Sequence, residues 1–181
     1  MSAQEKKIVQ RVPLPWAVAL TVAIALPFGL LLGKFNFTLW VCFIVWAEYF
    51  ALGASPDSWK IVFPAFPAGA AAGALWMITS NLVNGALGSH PLVGLIVGNV
   101  IWVTALLYII PRVASFSKGT LAVFNGLAMF LGVYFTGSLP SLATDPILVV
   151  IVAFVWATLM AYFGWFLGWL NIMLTFPKVE G

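Results

Sequence analysis

The sequence predicts an all-α, polytopic membrane protein of six transmembrane helices, and three observations carry that expectation. Of its 181 residues, 63% are hydrophobic and 7% are charged, against about 45–50% and about 25% in a soluble globular domain. Six apolar runs approach the ~20 residues that a membrane helix requires. Lys and Arg then collect on alternate connections between those runs, as they do in multi-span proteins. The mean hydropathy of +1.09 leaves too little polar surface for a cytosolic enzyme and too little charge to keep a disordered chain solvated. A net charge of +3 comes from singly scattered cations rather than a basic stripe, so no nucleic-acid partner is expected. A lone Cys42 excludes an internal disulfide or a thiolate metal cage from this chain alone, and no cofactor is expected.

The first run, 14–33, follows Lys6, Lys7 and Arg11 as a signal peptide would. Its length and its Leu30-Leu31-Leu32-Gly33-Lys34 ending, without a small-x-small cleavage site, favour a retained span. The second, 37–54, stops at Pro56-Asp57, and the third, 61–82, at Asn84-Gly85. His90-Pro91 opens the fourth, 91–110; the stretch from Arg112 to Gly119 precedes the fifth, 120–137; Pro146 opens the sixth, 146–174. These short connections make one transmembrane domain over 1–181 the expectation, with 1–12 as a cytoplasmic tail. An inside N-terminus puts Lys6, Lys7, Arg11, Lys60, Arg112, Lys118 and Lys178 on the inner side and Lys34 on the outer. Both termini are therefore expected in the cytoplasm.

Helices in lipid associate by close backbone approach, for which Gly-x-x-x-Gly is the sequence sign. Gly29/Gly33, Gly69/Gly73, Gly94/Gly98 and Gly164/Gly168 supply four such pairs. Packing inside one subunit is the preferred reading and a subunit interface the alternative. Pro27 should kink its helix, whereas Pro64 and Pro67 are expected to open the third one. Tyr49-Phe50, with Gly53, Ser55, Pro56 and Asp57 behind it, is echoed by Tyr134-Phe135 with Gly137, Ser138, Pro140 and Asp145. Each cluster ends the middle span of a three-helix half, 14–82 or 91–174. An odd number of spans would turn a duplicated half upside down, giving inverted repeats; chance accounts for the echo equally well.

The stretch from Trp40 to Trp76, with Tyr49-Phe50-Ala51, its small residues and a tryptophan near the end of the third span, resembles a family of small bacterial inner-membrane proteins. That family is the "ten-ninety-seven" domain of unknown function. The resemblance implies a multi-pass protein of the bacterial inner (plasma) membrane and supplies no activity and no functional residues.

Known chemistries are poorly matched. There is no nucleophile motif of a membrane serine protease, no nucleotide-binding loop, no histidine pair for haem or an ammonium pore, and no paired Asn-Pro-Ala. His90 reads as a loop residue, with an external pH sensor as the alternative. Glu48 is the informative residue. It lies about 15 Å along the axis from Thr38 and about 13 Å from Asp57, hence near the bilayer middle, where a carboxylate costs about 2.5–3.5 kcal/mol. Either the carboxyl is protonated or it faces a wet cavity. Asn99, Thr104 and Thr158 match its depth, with Asn125 somewhat nearer the inner side, and could continue a polar track. Packing of a neutral acid against Asn99 or a proline-freed carbonyl is the plainer account.

Trp16, Trp59 and Trp169 read as an inner aromatic belt and Trp40 as part of the outer one. Trp46 and Trp102 lie deeper and would wall a pore or fill the core. Thr79, Ser80, Asn81 and Asn84 form either an external vestibule or a helix cap. The expected activity is a channel or permease for a small, mostly neutral solute, such as a short amide, a urea-like compound or a weak acid, with proton linkage through Glu48. A non-transporting accessory subunit, packed in a membrane complex, is the alternative. No enzyme is expected. The lipid bilayer and the solute are the expected partners, with a homo-oligomer or a membrane complex left open.

Overall fold

The computed structural model describes residues 10–88 and 90–176, the side chain of Lys34 excepted. Lys6, Lys7 and Lys178, and all but the end of the expected tail, lie outside the described residues. The chain is built of α1 (Leu14–Leu31), α2 (Leu39–Ala51), α3 (Trp59–Leu87), α4 (Pro91–Ile109), α5 (Ala114–Lys118), α6 (Thr120–Phe135) and α7 (Pro146–Thr175), with no strand among the described residues. Four segments are long and apolar enough to cross a membrane: Leu14–Leu31, Pro56–Leu87, Pro91–Arg112 and Pro146–Thr175. The second and fifth runs make shorter helices, of 13 and 16 residues, about 20 and 24 Å long against a hydrocarbon layer of about 30 Å.

Helix ends follow from local chemistry. Asp145 Oδ1 accepts from the N–H groups of Ile147 and Leu148 at 2.9 and 3.0 Å, and Pro146 needs no donor partner in the first turn. Ser55 Oγ likewise accepts from Asp57 N–H ahead of α3. The ends of α2 and α6 share one motif: Ala54 N–H donates to Tyr49 O and Gly53 N–H to Phe50 O, while Ser138 N–H donates to Val133 O and Gly137 N–H to Tyr134 O. Gly53 and Gly137 hold the left-handed conformation, φ 83° and 65°, that this closure demands. The glycine behind each Tyr-Phe pair thus makes the same helix stop twice, with the aromatic pairs displaced by one residue relative to it.

Because α3 starts at Trp59, Pro64 and Pro67 lie inside it rather than opening it. The start signal is the Ser55-Pro56 cap upstream. Pro67 has no N–H to offer Phe63 O, and Tyr162 of α7 fills that vacancy with its hydroxyl at 2.9 Å. The Phe63 and Tyr162 rings stack with centroids 4.1 Å apart.

Long α3 and α7 cross at the centre, antiparallel, and each carries one glycine pair against a parallel partner. A Cβ on Gly69 would overlap Val123 O of α6, one on Gly126 would overlap Phe66 O of α3, and one on Gly164 would overlap Cys42 O of α2. Gly73 and Gly168 sit against Phe130 and Tyr49. On the periphery, α4 lays Gly94 and Gly98 on Ser80 and Trp76 of α3, and α1 packs on α7 through Thr21 and Asn171. Gly29 touches only the Leu39 side chain, and Gly33 packs against nothing. Arg11, whose N–H bonds Thr175 O, Lys60, Arg112 and Lys118 gather at one end of the bundle; the segment Gly33–Phe35 lies at the other.

Candidate functional site

Helices α2 and α6 bring together an amide and the one buried carboxyl among the described residues. Glu48 is 2% exposed, and its Oε2 accepts from Asn125 Nδ2 of α6 at 2.8 Å. Glu48 Oε1 is buried without a partner among the described residues, a state that costs about 1–3 kcal/mol for an ordinary acceptor. Gly126 explains how Asn125 gets there. It presses α6 onto α3, and the next residue round the helix, turned by about 100°, is thereby aimed at α2. Glu48 stands in the last turn of α2, three residues before Ala51. Its neighbour Tyr49 rests on Gly168, about 10 Å before the end of α7, so the acid is closer to that end of the bundle than equal spacing from Thr38 and Asp57 implies.

The remaining members of the expected track lie apart from this pair. Asn99 and Thr104 are exposed on α4, and α4 packs on α3, which in turn meets α6 and α7, the helices that contact α2. Their depth matches Glu48, but their direction does not. Thr158 is half-buried and donates to Phe154 O within its own helix at 2.8 Å. Trp46, 6% exposed, has an unpartnered Nε1 and points about 200° away from Glu48 around α2. Trp102 Nε1 donates to Thr79 Oγ1 at 2.8 Å, tying α4 to α3. Asn84 caps the first turn of α4, accepting from Gly94 N–H at 2.9 Å and donating to Pro91 O at 3.2 Å. Of that cluster, Asn84 therefore works as a helix cap, while Thr79 serves the tie to Trp102.

From Glu48 and Asn125 an antiparallel seam runs between α2 and α6 to the opposite end of the bundle. Along α2, Trp40 and Ile44 precede Glu48 at four-residue intervals; along α6, Met129, Gly132 and Thr136 follow Asn125 at intervals of four, three and four. At the far end opens a cavity of about 460 Å³, lined by Asn36, Thr38, Thr136 and Ser138 among others. Asn36 Nδ2 donates to Leu139 O at 2.9 Å and to Gly137 O at 3.3 Å, so the α1–α2 and α6–α7 connections are tied together there. Sequence reasoning missed Gly126, Gly132 and this cavity, since none forms a four-spaced glycine pair or a charged cluster. The middle-span glycines opposite an acid-bearing helix are the available signal.

Residues 16–172 match the family described as protein of unknown function, DUF1097. No curated protein and no solved structure matches the chain.

Proposed function

The chain belongs to the DUF1097 family, and we propose that it is a channel or permease for a small, mostly neutral solute: a short amide, a urea-like compound or a weak acid. The observation that carries this reading is the Glu48–Asn125 pair, a buried carboxyl with one oxygen unengaged, held by two short helices that occupy the middle of each three-helix half. Short segments in corresponding positions of two halves are where transporters build their sites. The shared stop at Gly53 and Gly137 and the paired glycine contacts of α3 with α6 and α7 with α2 support inverted halves. Counting α2 and α6 as spans gives six, and the cations at one end support a reading with both termini in the cytoplasm of a bacterial inner membrane. In the proton-linked form, Glu48 exchanges its proton as the pathway opens to each side.

The test is solute flux into proteoliposomes for urea, acetamide and acetic acid, with Glu48→Gln and Asn125→Ala beside the parent protein. Flux that Glu48→Gln abolishes supports the reading. Flux indifferent to both variants removes the site.

A second reading, a non-transporting accessory subunit, draws on Asn99. Its amide is exposed in the middle of α4 and has no hydrogen-bond partner among the described residues, and such residues join helices across subunits. A stoichiometric membrane partner, lost on Asn99→Leu, would favour it.

A further inference from the structure

Near its cavity end, the seam between α2 and α6 is crossed by an indole. The Trp40 ring lies over Gly132: a Cβ built there would stand 2.9 Å from Trp40 Cη2 and 3.8 Å from the neighbouring ring carbons. On one side of that contact is the polar cavity, where Thr38 of the α2 N-terminus faces Thr136 and Ser138 beyond α6. Thr38 donates its hydroxyl to Asn36 O at 3.0 Å, Thr136 donates to Gly132 O at 2.7 Å, and the Thr136 and Ser138 hydroxyls bond each other at 2.8 Å, so the hydroxyl protons are engaged and oxygen lone pairs remain to accept from an uncharged guest that carries N–H or O–H donors. On the other side, about 12 Å along α2, is the unengaged oxygen of Glu48. Along both helices the Trp40–Gly132 contact lies between the cavity and the Glu48–Asn125 pair, so an object moving down the seam from the cavity to the acid meets the indole edge.

We infer that the cavity at Asn36, Thr38, Thr136 and Ser138 is the mouth of the solute route and that Trp40, seated on Gly132, is its gate. Gly132 has a reason in this arrangement: any side chain there occupies the seat of the ring. The contact is with the outer edge of an indole and not with backbone, so the ring can swing off without separating the helices. Trp40 is 38% exposed, which leaves it room to turn. The inference rests on the transport reading, but it makes a claim about access that can be measured without knowing the solute.

Cysteine accessibility tests it. In a Cys42→Ala background, Met129→Cys places a thiol just past the gate and Thr136→Cys places one in the mouth. A membrane-impermeant methanethiosulfonate is added from the cavity side of reconstituted full-length protein. With Trp40 present, Thr136→Cys should react quickly and Met129→Cys slowly. Trp40→Ala should raise the Met129→Cys rate tenfold or more and leave Thr136→Cys unchanged. Gly132→Ala, which unseats the ring from the other helix and spares Trp40 itself, should raise it by a smaller factor, and it decides the matter if Trp40→Ala does not fold. A Met129→Cys rate that neither variant changes, or one already as fast as Thr136→Cys with the ring in place, overturns the gate. Failure of flux for every solute tried, with the accessibility pattern intact, counts against the transport reading alone.

Discussion

Gly126 and Gly132 sit six residues apart on α6 and meet opposite kinds of neighbour. Gly126 is pressed against the Phe66 carbonyl of α3, backbone on backbone, and Gly69 returns the contact at Val123. Gly132 is covered by the edge of an indole. The first arrangement cannot give way without driving two helices apart; the second yields by one side-chain rotation. In a bilayer, where lipid competes equally for apolar surface, close backbone approach is what locks helices together. The α3/α6 and α2/α7 pairs have that lock, and the α2/α6 seam that holds the acid does not.

The largest expected effect therefore comes from filling a locked interface. Gly69→Val or Gly126→Val should reach or exceed the upper end of the about 1–3 kcal/mol that overpacking costs, since the obstacle is a carbonyl oxygen and not a mobile side chain. Loss of monodisperse protein in detergent is the readout. Gly132→Ala should keep the protein monodisperse and with nearly the parent melting temperature. Equal damage from the two kinds of substitution would erase the distinction between lock and seam.

Next come substitutions in the polar pair. Glu48→Gln preserves length and still offers Asn125 an acceptor, so thermal stability should hardly move. Glu48→Leu strands the Asn125 amide and should cost about 1–3 kcal/mol, read as a lower melting temperature or urea midpoint. If Glu48→Leu were more stable than the parent, the carboxyl would be a burden kept for function and not a packing bond, which sharpens the contrast with the glycine interfaces.

How far the sequence reached can be argued from these same residues. Apolar runs, breakers and three of the four glycine pairs are properties of one helix at a time, and composition with spacing reads them well; Gly29/Gly33 has the spacing without a helix seated on it. Glu48 stood out because its charge is costly anywhere in an apolar run. Azimuth is a different matter. Asn99 follows Gly98 by one residue, a turn of about 100°, and once Gly98 is seated on Trp76 the amide faces away from the bundle. Depth alone could not show that. Nor could it show that Tyr162 would fill the carbonyl left free by Pro67, because that match depends on which face of α7 meets α3. The lengths of α2 and α6 were hidden because the residues beyond them, Leu52 and Leu139 for instance, are apolar yet belong to the turns.

Tyr162→Phe probes one such match. Removing the hydroxyl leaves Phe63 O without its donor while keeping the ring stack, so the expected loss is near the about 0.6 kcal/mol average of hydrogen bonds between membrane helices. A melting curve for the purified variant measures it. A loss several times larger would mean that the proline-broken stretch of α3 depends on α7 as strongly as the glycine contacts do.

The smallest effect is expected on the exposed face of α4. Asn99→Leu removes an amide that bonds nothing among the described residues and replaces it with a side chain suited to lipid, so the isolated protein should change by no more than about 0.5 kcal/mol. Labelling at Met129→Cys should be unaffected, because α4 packs on α3 and not on the α2/α6 seam. The informative measurement is therefore association: the size of the complex extracted in mild detergent. If Asn99→Leu leaves the melting curve alone yet breaks an assembly, the amide belongs to an interface with another chain, and α4 is the docking face while the seam stays separate. If it changes neither, the face meets lipid, and transport reasoning can be confined to α2, α6 and the helices that grip them.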